Sequence, residues 1–347
     1  MTGRPIRCEV SLKVNDMLYV RHPLLLPLLI VLLLAGACAS LALGPVALAP
    51  ERIVAAFTGH ADRIAQTIVI DLRLPRLIVG LLVGGVLGLG GAVLQGYLRN
   101  PLAEPSILGA SNAAALGAVV ALYFGLSELH VVALPLLAIL GSVAALCLLF
   151  VLAGRAGSPL TLILAGIAVS TLAGAGISLA LNLSDNPFAA MEIMSWLMGS
   201  LENRTFEHVW IALPCVVLGA ALLLRGGNAL DALSLGEDAA QSLGIDLSAT
   251  RLRILCGAAI GIGGAVAVSG SIGFVGLIVP HLLRPFTDRT PSALLMPSML
   301  GGALLLTLAD IAVRVIPTDA ELKLGVVTAF LGVPVFMVHL LRERASW

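Results

Sequence analysis

The sequence predicts an all-α integral membrane protein, a compact bundle of about ten transmembrane helices. Of its 347 residues, 59% are hydrophobic, and the mean hydropathy is +1.04. Only 12% are charged, whereas soluble domains carry roughly 25%. Several apolar runs reach the roughly 20 residues that a helix needs to cross a bilayer. The net charge of zero leaves no overall basic field that would attract nucleic acid.

Ten apolar segments are candidate spans. They lie at residues 23–43, 77–98, 105–126, 131–153, 159–181, 207–224, 252–269, 272–287, 291–309 and 324–341. The number depends on residues 254–283, which contain no Asp, Glu, Lys or Arg and could form one long span or two. The sequence SGSIG at 269–273 and Pro280 interrupt this run, which favours two spans.

The distribution of Lys and Arg favours ten spans with both termini in the cytoplasm. This arrangement places 13 of the cations inside and 7 outside, whereas merging the doubtful pair gives 11 against 9. Cytoplasmic loops carry an excess of Lys and Arg. We therefore expect a single transmembrane domain over residues 1–347, with a cytoplasmic tail at 1–22 and a cytoplasmic segment at 226–251.

Glycine recurs at helical spacing in two spans. In the second span, Gly80, Gly84 and Gly88 share one face, and the seventh span repeats the pattern from Gly257 to Gly264. Helices in lipid associate through close backbone packing, which small residues permit. These glycines predict a tightly packed bundle and need no ligand to explain them.

The polar stretch from Leu94 to Ser111 separates the second and third spans. Pro101 and Pro105 are expected to end one helix and start the next, because proline suits a first helical turn and opposes continuation. Gln95, Asn100 and Glu104 can satisfy the backbone groups that a chain reversal leaves free. We interpret the stretch as a reinforced cytoplasmic hairpin, with direct contact to a partner protein as the alternative.

Two further polar segments lie between spans. The inner segment 226–251 predicts a short helix, with Ser234 as N-cap, acids in its first turn and Gly244 as its stop. This helix could cap the bundle or receive force from a partner. The outer segment 182–208 carries Met and Trp side chains that could lie at the lipid interface.

The sequence lacks the patterns of most catalytic and metal sites. No GxxxxGK[ST], HExxH or GxSxG motif occurs, so the chain cannot build a Walker-type phosphate site. The six histidines and five cysteines are scattered and lack metal-ligand spacing. We therefore expect no catalytic residues, no metal and no cofactor bound by this chain, and an energy source outside it.

Ionisable residues are nearly absent from the predicted spans. Asp310 lies near the outer end of the ninth span, and its distance of four residues from Arg314 suits a helical ion pair. Because intramembrane ionisable groups usually mark function, their scarcity disfavours a carrier coupled to an ion gradient. The sequence also leaves open a membrane enzyme, for which it offers no catalytic constellation, and a structural subunit without a pathway.

Several long motifs resemble the FecCD-type permeases, the membrane subunits of ATP-driven importers for ferric siderophores, haem and vitamin B12. The resemblance covers residues 20–345 in family order. It rests on the segments Arg73–Ala118, LSLGEDAAQSLGID, SGSIGFVGLIVPHLLRPFTD, LADIAVR and ELKLGVVTAFLGVPVF. It implies a type II importer architecture and a location in the bacterial inner membrane.

The resemblance also implies partners. Two permease subunits, identical or paralogous, would enclose a pathway, and two cytoplasmic ATPase subunits would use ATP and Mg²⁺. A periplasmic or lipid-anchored binding protein would deliver the substrate. The coupling segment would contact the ATPase through Leu235, Gly236, Glu237, Asp238 and Gly244.

Two more sets of residues follow from the same resemblance. Arg73, Arg76 and Arg314 match arginines that meet acidic residues of the binding protein; the alternative is that they anchor span ends at lipid headgroups. The gate would lie at Ser158, Pro159 and Leu160, where the proline departs from the vitamin B12 importer. We expect an iron chelate as substrate, because such members are more numerous, with vitamin B12 as the alternative.

Overall fold

The computed structural model describes residues 23–46, 48–130, 132–154, 159–317 and 321–344. The described chain forms these α-helices: α1 (Leu25–Ala42), α2 (Pro50–Thr58), α3 (Arg63–Gln66), α4 (Leu74–Tyr97), α5 (Ala110–Tyr123), α6 (Leu126–Leu129), α7 (Ala133–Ala153), α8 (Pro159–Asn182), α9 (Pro187–Leu197), α10 (Phe206–Leu224), α11 (Gly227–Ser234), α12 (Glu237–Ser242), α13 (Leu247–Ser269), α14 (Val275–Leu283), α15 (Pro291–Val315) and α16 (Leu324–Arg344). A π-helical segment, Thr67–Arg73, joins α3 to α4, and 3₁₀ turns form at Pro105–Leu108 and Arg284–Phe286.

The all-α membrane bundle predicted from the sequence is confirmed. Among the described residues, seven helices are long and apolar enough to cross a membrane: Leu25–Ala42, Arg63–Tyr97, Ala133–Ala153, Leu160–Asn182, Phe206–Leu224, Leu247–Ser269 and Pro291–Val315. Shorter apolar helices occupy two of the remaining predicted spans, at Ala110–Tyr123 and Val275–Phe286. The tenth predicted span contains α16, which has 21 residues. Two of the ten predicted spans therefore contain helices shorter than a full bilayer crossing.

Helix α4 lies at the centre of the bundle, and its glycines allow its neighbours to approach. A Cβ atom added to Gly84 would lie 2.4 Å from the carbonyl oxygen of Gly302, and one added to Gly88 would lie 2.2 Å from that of Ser298. These contacts bring the backbones of α4 and α15 together. A Cβ added to Gly219 of α10 would lie 2.4 Å from the Cα of Gly261 in α13, so these two backbones also approach closely. The predicted role of these glycines in close packing is confirmed.

The run 254–283 forms two helices, as the sequence favoured. Helix α13 ends at Ser269, and α14 begins at Val275. Gly270 and Phe274 both have positive φ, at 71° and 68°, so the chain leaves the helical conformation on either side of this break. A left-handed residue commonly ends a helix. The backbone N–H of Ser200 donates to the carbonyl of Ser269 at 2.8 Å and so holds this break against the α9–α10 connection.

The third predicted span starts later than residue 105. Pro105 opens a 3₁₀ turn, Gly109 is left-handed with φ of 78°, and α5 begins only at Ala110. A Cβ on Gly276 of α14 would lie 2.8 Å from Pro105, which places this turn inside the bundle. The chain therefore re-enters the bundle as a 3₁₀ turn, and α5 has 14 residues.

Gln95, Asn100 and Glu104 bind free backbone groups, as predicted, but two of them serve α14 rather than the turn. The Asn100 side chain accepts from the N–H of Leu102 at 2.9 Å. Glu104 accepts from the N–H of Phe274 at 2.6 Å, at the start of α14. Gln95 donates to the Gly276 carbonyl at 3.3 Å. The stretch thus ties the α4–α5 connection to the beginning of α14.

The close contact of α4 and α14 predicts a large effect of one methyl group. A Cβ on Gly91 would lie 1.9 Å from the carbonyl oxygen of Gly276, so the Gly91→Ala variant must separate the two backbones. Overpacking of this kind costs about 1–3 kcal/mol, and we expect a lower midpoint of thermal unfolding in detergent. The control is Gly174→Ala in α8, where a Cβ meets nothing within 4 Å. If Gly91→Ala and Gly174→Ala had the same midpoint of thermal unfolding, the close contact of α4 and α14 would be contradicted.

Candidate docking surfaces

The predicted coupling helix is present as α12, but its N-terminus differs from the prediction. Ser234 is the last residue of α11, and its hydroxyl donates to the carbonyl of Asp231 at 2.6 Å. The residue that precedes α12 is Gly236, with φ of 110° and ψ of 159° and no side-chain cap. Ser234 is therefore not the N-cap, because a turn through Leu235 and Gly236 separates the two helices.

The C-terminus of α12 follows the prediction. Gly244 is left-handed with φ of 83°. The N–H of Gly244 donates to Gln241 at 2.9 Å, and that of Ile245 donates to Ala240 at 3.0 Å. This pair of bonds is the Schellman motif, which ends a helix by satisfying its last carbonyls. Glycine is suited to the position because the left-handed conformation carries no Cβ penalty there.

Helix α12 presents an exposed surface with both charge and apolar area. Ala240 is fully buried and fixes the helix to the bundle. Glu237 and Asp238 are exposed in its first turn, where acids interact favourably with the helix dipole. Leu235 and Leu243 are 70% and 65% exposed. A rigid short helix flanked by exposed leucines provides a surface that another protein could contact.

Two of the three predicted docking arginines bind the end of α1. The Arg73 guanidinium donates to the carbonyls of Leu41 at 2.6 Å, Ala42 at 2.8 Å, and Val46. That of Arg314 donates to the carbonyl of Ser40 at 3.0 Å. The last carbonyls of a helix have no intrahelical partner, and cations are favourable at this end of the dipole. Both side chains are nearly buried and stabilise the C-terminus of α1.

Arg76 belongs to a largely buried ion-pair cluster. Its guanidinium lies 2.8 Å from Asp310 and also binds Glu321. Asp310 accepts from Arg314 at 3.0 Å, which confirms the ion pair expected from their spacing of four residues. The side chain of Asp310 is only 3% exposed. The span end therefore does contain a buried carboxylate, and its charge is compensated by two arginines.

The three arginines border one cavity of about 270 Å³, together with Arg204, Glu202 and Glu321. Arg204 was not identified from the sequence as a site residue. One of its terminal nitrogens lies 3.1 Å from His208, and its Nε is buried without a partner. Burial lowers the pKa of the Arg204 guanidinium, Glu202 opposes this effect, and Arg76 adds to it. The only feature of the sequence that pointed to Arg204 was its position in the predicted outer segment 182–208.

The arginine cavity and α12 lie at opposite ends of the bundle. Arg76 is in the first turn of α4, and Tyr97 is its last residue. The 24 residues of α4 span roughly 36 Å at 1.5 Å per residue. At the far end, the hydroxyl of Tyr97 accepts from Arg251, in the first part of α13 just after α12. The structure thus brings the arginines together and separates them from the coupling residues.

The predicted gate is described only in part. Ser158 lies outside the described residues. Pro159 is the first residue of α8, and the side chain of Leu160 is 65% exposed. The position of a helix start does not itself identify a gate, so the assignment stays a prediction. Within the described ranges, no group of three or more His, Cys, Asp or Glu side chains could hold a metal ion.

Comparison with known proteins decides the family. Residues 31–342 match the FecCD transport family. The chain belongs to the FecCD family. It is 40% identical to the cobalamin import system permease protein BtuC of Halobacterium salinarum, over 81% of this chain and 74% of that protein. It is 39% identical to the Fe(3+) dicitrate transport system permease protein FecD of Escherichia coli K12, over 80% and 86%.

A solved structure shares the fold of this FecCD permease. It is described as an inward-facing conformation of a metal-chelate type ABC transporter. The TM-score is 0.80 at 34% identity, with 92% of this chain and 98% of the other covered. The protein is therefore a multi-pass permease subunit of an ABC transporter in the bacterial membrane, and not an enzyme. Such a permease works with ATPase and binding-protein partners.

Proposed function

We propose that this FecCD permease imports an iron chelate, a ferric siderophore or haem, across the bacterial inner membrane. The observation that carries the importer role is the pairing of two opposite surfaces: a cavity bordered by four arginines and two glutamates at one end and exposed α12 at the other. The first suits an acidic binding protein outside, and the second suits an ATPase dimer in the cytoplasm. With α12 on the cytoplasmic side, both termini of the chain are cytoplasmic as well.

The proposed mechanism transmits force through the Leu235–Gly244 segment. ATP binding and hydrolysis in the two partner ATPase subunits move α12. The buried Ala240 couples α12 to the bundle. Two permease subunits tilt against each other, and the pathway between them opens alternately to each side. The region around Ser158, Pro159 and Leu160 closes the inner end.

Vitamin B12 is the second candidate substrate. The BtuC relative is named for cobalamin import and the FecD relative for ferric dicitrate, at nearly equal identity. The solved relative is described as metal-chelate type, which fits an iron chelate and the cobalt complex cobalamin alike. Specificity in such a transporter resides mainly in the binding protein, so the permease residues alone discriminate weakly.

Uptake in proteoliposomes tests the proposed substrate. The permease is reconstituted with its ATPase, and the loaded binding protein is added outside with radioactive ferric siderophore, haem or cobalamin. We expect ATP-dependent accumulation of an iron chelate and none of cobalamin. Accumulation of cobalamin alone would overturn the iron assignment. Accumulation driven by an ion gradient without ATPase would overturn the proposed mechanism.

Arg204 offers a cleaner test of docking than the three buried arginines. Reversal of Arg73, Arg76 or Arg314 would also remove contacts that hold α1 and Asp310. The Arg204→Gln variant removes a cavity charge that has no carboxylate within ion-pair distance among the described residues. We expect binding-protein association several-fold slower at low salt, with the difference lost near ~1 M salt, because charges steer encounter.

The matched control for this prediction is Arg63→Gln. Arg63 is an exposed arginine on the same predicted side, outside the cavity. Association rates are measured on immobilised permease complex in detergent. If Arg204→Gln and Arg63→Gln associate with the binding protein at the wild-type rate at low salt, the cavity is not the docking surface.

A further inference from the structure

A second cavity lies at the α12 end of the bundle, between the end of α4 and the start of α15. This α4–α15 cavity has a volume of about 420 Å³ and is bordered by three arginines, Arg99, Arg284 and Arg289. The apolar residue Leu294 in its lining is buried, whereas Arg99 and Arg289 are exposed. The arginines are therefore the part of the cavity that a second molecule can reach.

Two of these arginines carry charge that the protein itself does not pair. Across the described part of the chain, neither Arg99 nor Arg289 has an ion-pair partner. Asp288 is the one acid that borders the cavity within the described residues, and its carboxylate accepts from the N–H of Thr290 at 3.0 Å and from its hydroxyl at 2.7 Å. Two exposed guanidinium groups thus border one cavity without a carboxylate between them.

The same two arginines lie at unusual backbone positions. Arg99 and Arg289 have φ of 49° and 67°, and they are two of the four non-glycine residues with positive φ in the described chain. A third, Asn203, lines the arginine cavity at the opposite end of the bundle. Such conformations are unfavourable for residues with a Cβ and concentrate at functional sites. The two cavities thus share arginines and left-handed turns, which favours a docking role for each.

Helix α11 joins the α4–α15 cavity and α12 into one surface. The Asp231 carboxylate of α11 accepts from the backbone N–H of Ser292 at 2.9 Å, in the first turn of α15. Ser234, the last residue of α11, lines the cavity, and Leu235 directly after it is 70% exposed and leads into α12. A protein that covers α12 with an interface of ordinary size, roughly 800 Å² a side, also covers the mouth of this cavity.

We propose that an acidic side chain of the ATPase subunit enters the α4–α15 cavity and pairs with Arg99 and Arg289 when the ATPase docks on α12. This inference rests on the proposed function, in which α12 contacts the ATPase. Guanidinium groups bind carboxylates with paired, charge-assisted hydrogen bonds. Helix α12 itself presents Glu237 and Asp238, so the docking face carries acids on α12 and unpaired arginines beside it. Opposite charges side by side fix the orientation of a partner.

Zero-length cross-linking of the permease–ATPase complex tests the proposed pair. A carbodiimide joins an amine to a carboxylate only where the two are in contact, and the chain has two lysines of its own, Lys13 and Lys323. Arg289→Lys therefore places a new amine at the cavity and changes neither the charge nor the presence of a Cβ. Arg225→Lys is the matched control, because Arg225 is exposed at the same end and lies outside the cavity. Mass spectrometry identifies the joined residues.

We expect Arg289→Lys to give an adduct with an Asp or Glu of the ATPase subunit, and Arg225→Lys to give none. The Arg99→Gln/Arg289→Gln double variant should bind the ATPase about fivefold more weakly at low salt, as two exposed charge pairs would predict. If Arg289→Lys gives no more adduct than Arg225→Lys, or if the double variant binds the ATPase with wild-type affinity, the proposed pair is overturned. A thiol cross-link from Leu235→Cys to the ATPase in the same preparation would then show that the proposed function stands, and its absence would overturn that function too.

Discussion

The Asp310→Asn variant is expected to lower the free energy of unfolding by about 3 kcal/mol. Asp310 is 2% exposed and lies between the guanidinium groups of Arg76 and Arg314. Removal of one charge from a buried cluster leaves the others uncompensated in a low-dielectric setting, where desolvation is costly. Asparagine has nearly the same shape, so the loss reports charge rather than packing. Equilibrium unfolding in mixed micelles of mild detergent and dodecyl sulfate measures it.

The matched control for Asp310 is the exposed pair of Arg52 and Asp62. These side chains are 56% and 45% exposed at a distance of 3.0 Å. Exposed pairs contribute less than about 1 kcal/mol, so Asp62→Asn should unfold close to wild type. If the two variants unfold alike, the ion-pair cluster does not stabilise this end of the bundle.

The Gly236→Ala variant is expected to reduce ATP-dependent uptake at least tenfold while the complex still assembles. Gly236 has φ of 110° and ψ of 159°, a conformation that residues with a Cβ rarely adopt. A Cβ there meets nothing within 4 Å, so the effect comes from the backbone and not from a clash. The turn between α11 and α12 must change, and α12 then presents its surface to the ATPase at a different angle. Uptake rate and co-purification of the ATPase are measured together.

Gly125→Ala is the control for this variant. Gly125 has φ of 65° and equally open surroundings, but it lies between α5 and α6 on the predicted outer side. Alanine at Gly125 also carries a backbone penalty, smaller than at Gly236 because φ of 65° and ψ of 17° lie in the left-handed helical region, and this penalty falls far from the coupling surface. Wild-type uptake by Gly236→Ala would show that force does not pass through α12, and equal losses in both variants would indicate general destabilisation.

The sequence predicts those features that depend on local composition. Apolar runs locate the helices, the glycines of residues 269–273 locate the break between α13 and α14, and a spacing of four residues identifies the Asp310–Arg314 pair. Each of these is encoded within a single segment. The Schellman end of α12 at Gly244 belongs to the same class.

Features that depend on distant segments could not be predicted in this way. Arg314 binds α1 across more than 270 residues of sequence, and Glu104 binds the start of α14 across 170. The 3₁₀ turn that follows Glu104, at Pro105–Leu108, and the left-handed Gly109 delay the start of α5 to Ala110. Arg204 joins the arginine cavity only when α10 is placed beside α4. Helix packing creates all of these neighbours.

Site-directed cross-linking in native membranes tests most directly the claim that the two ends of this FecCD permease contact different partners. Leu235→Cys places a reactive thiol beside α12, and Asn203→Cys places one at the arginine cavity; both positions are exposed. The chain with only its native cysteines is the control. We expect Leu235→Cys to link to an ATPase subunit and Asn203→Cys to link to a substrate-binding protein. Links to the same partner at both positions, or to the two partners in the opposite order, would contradict the account.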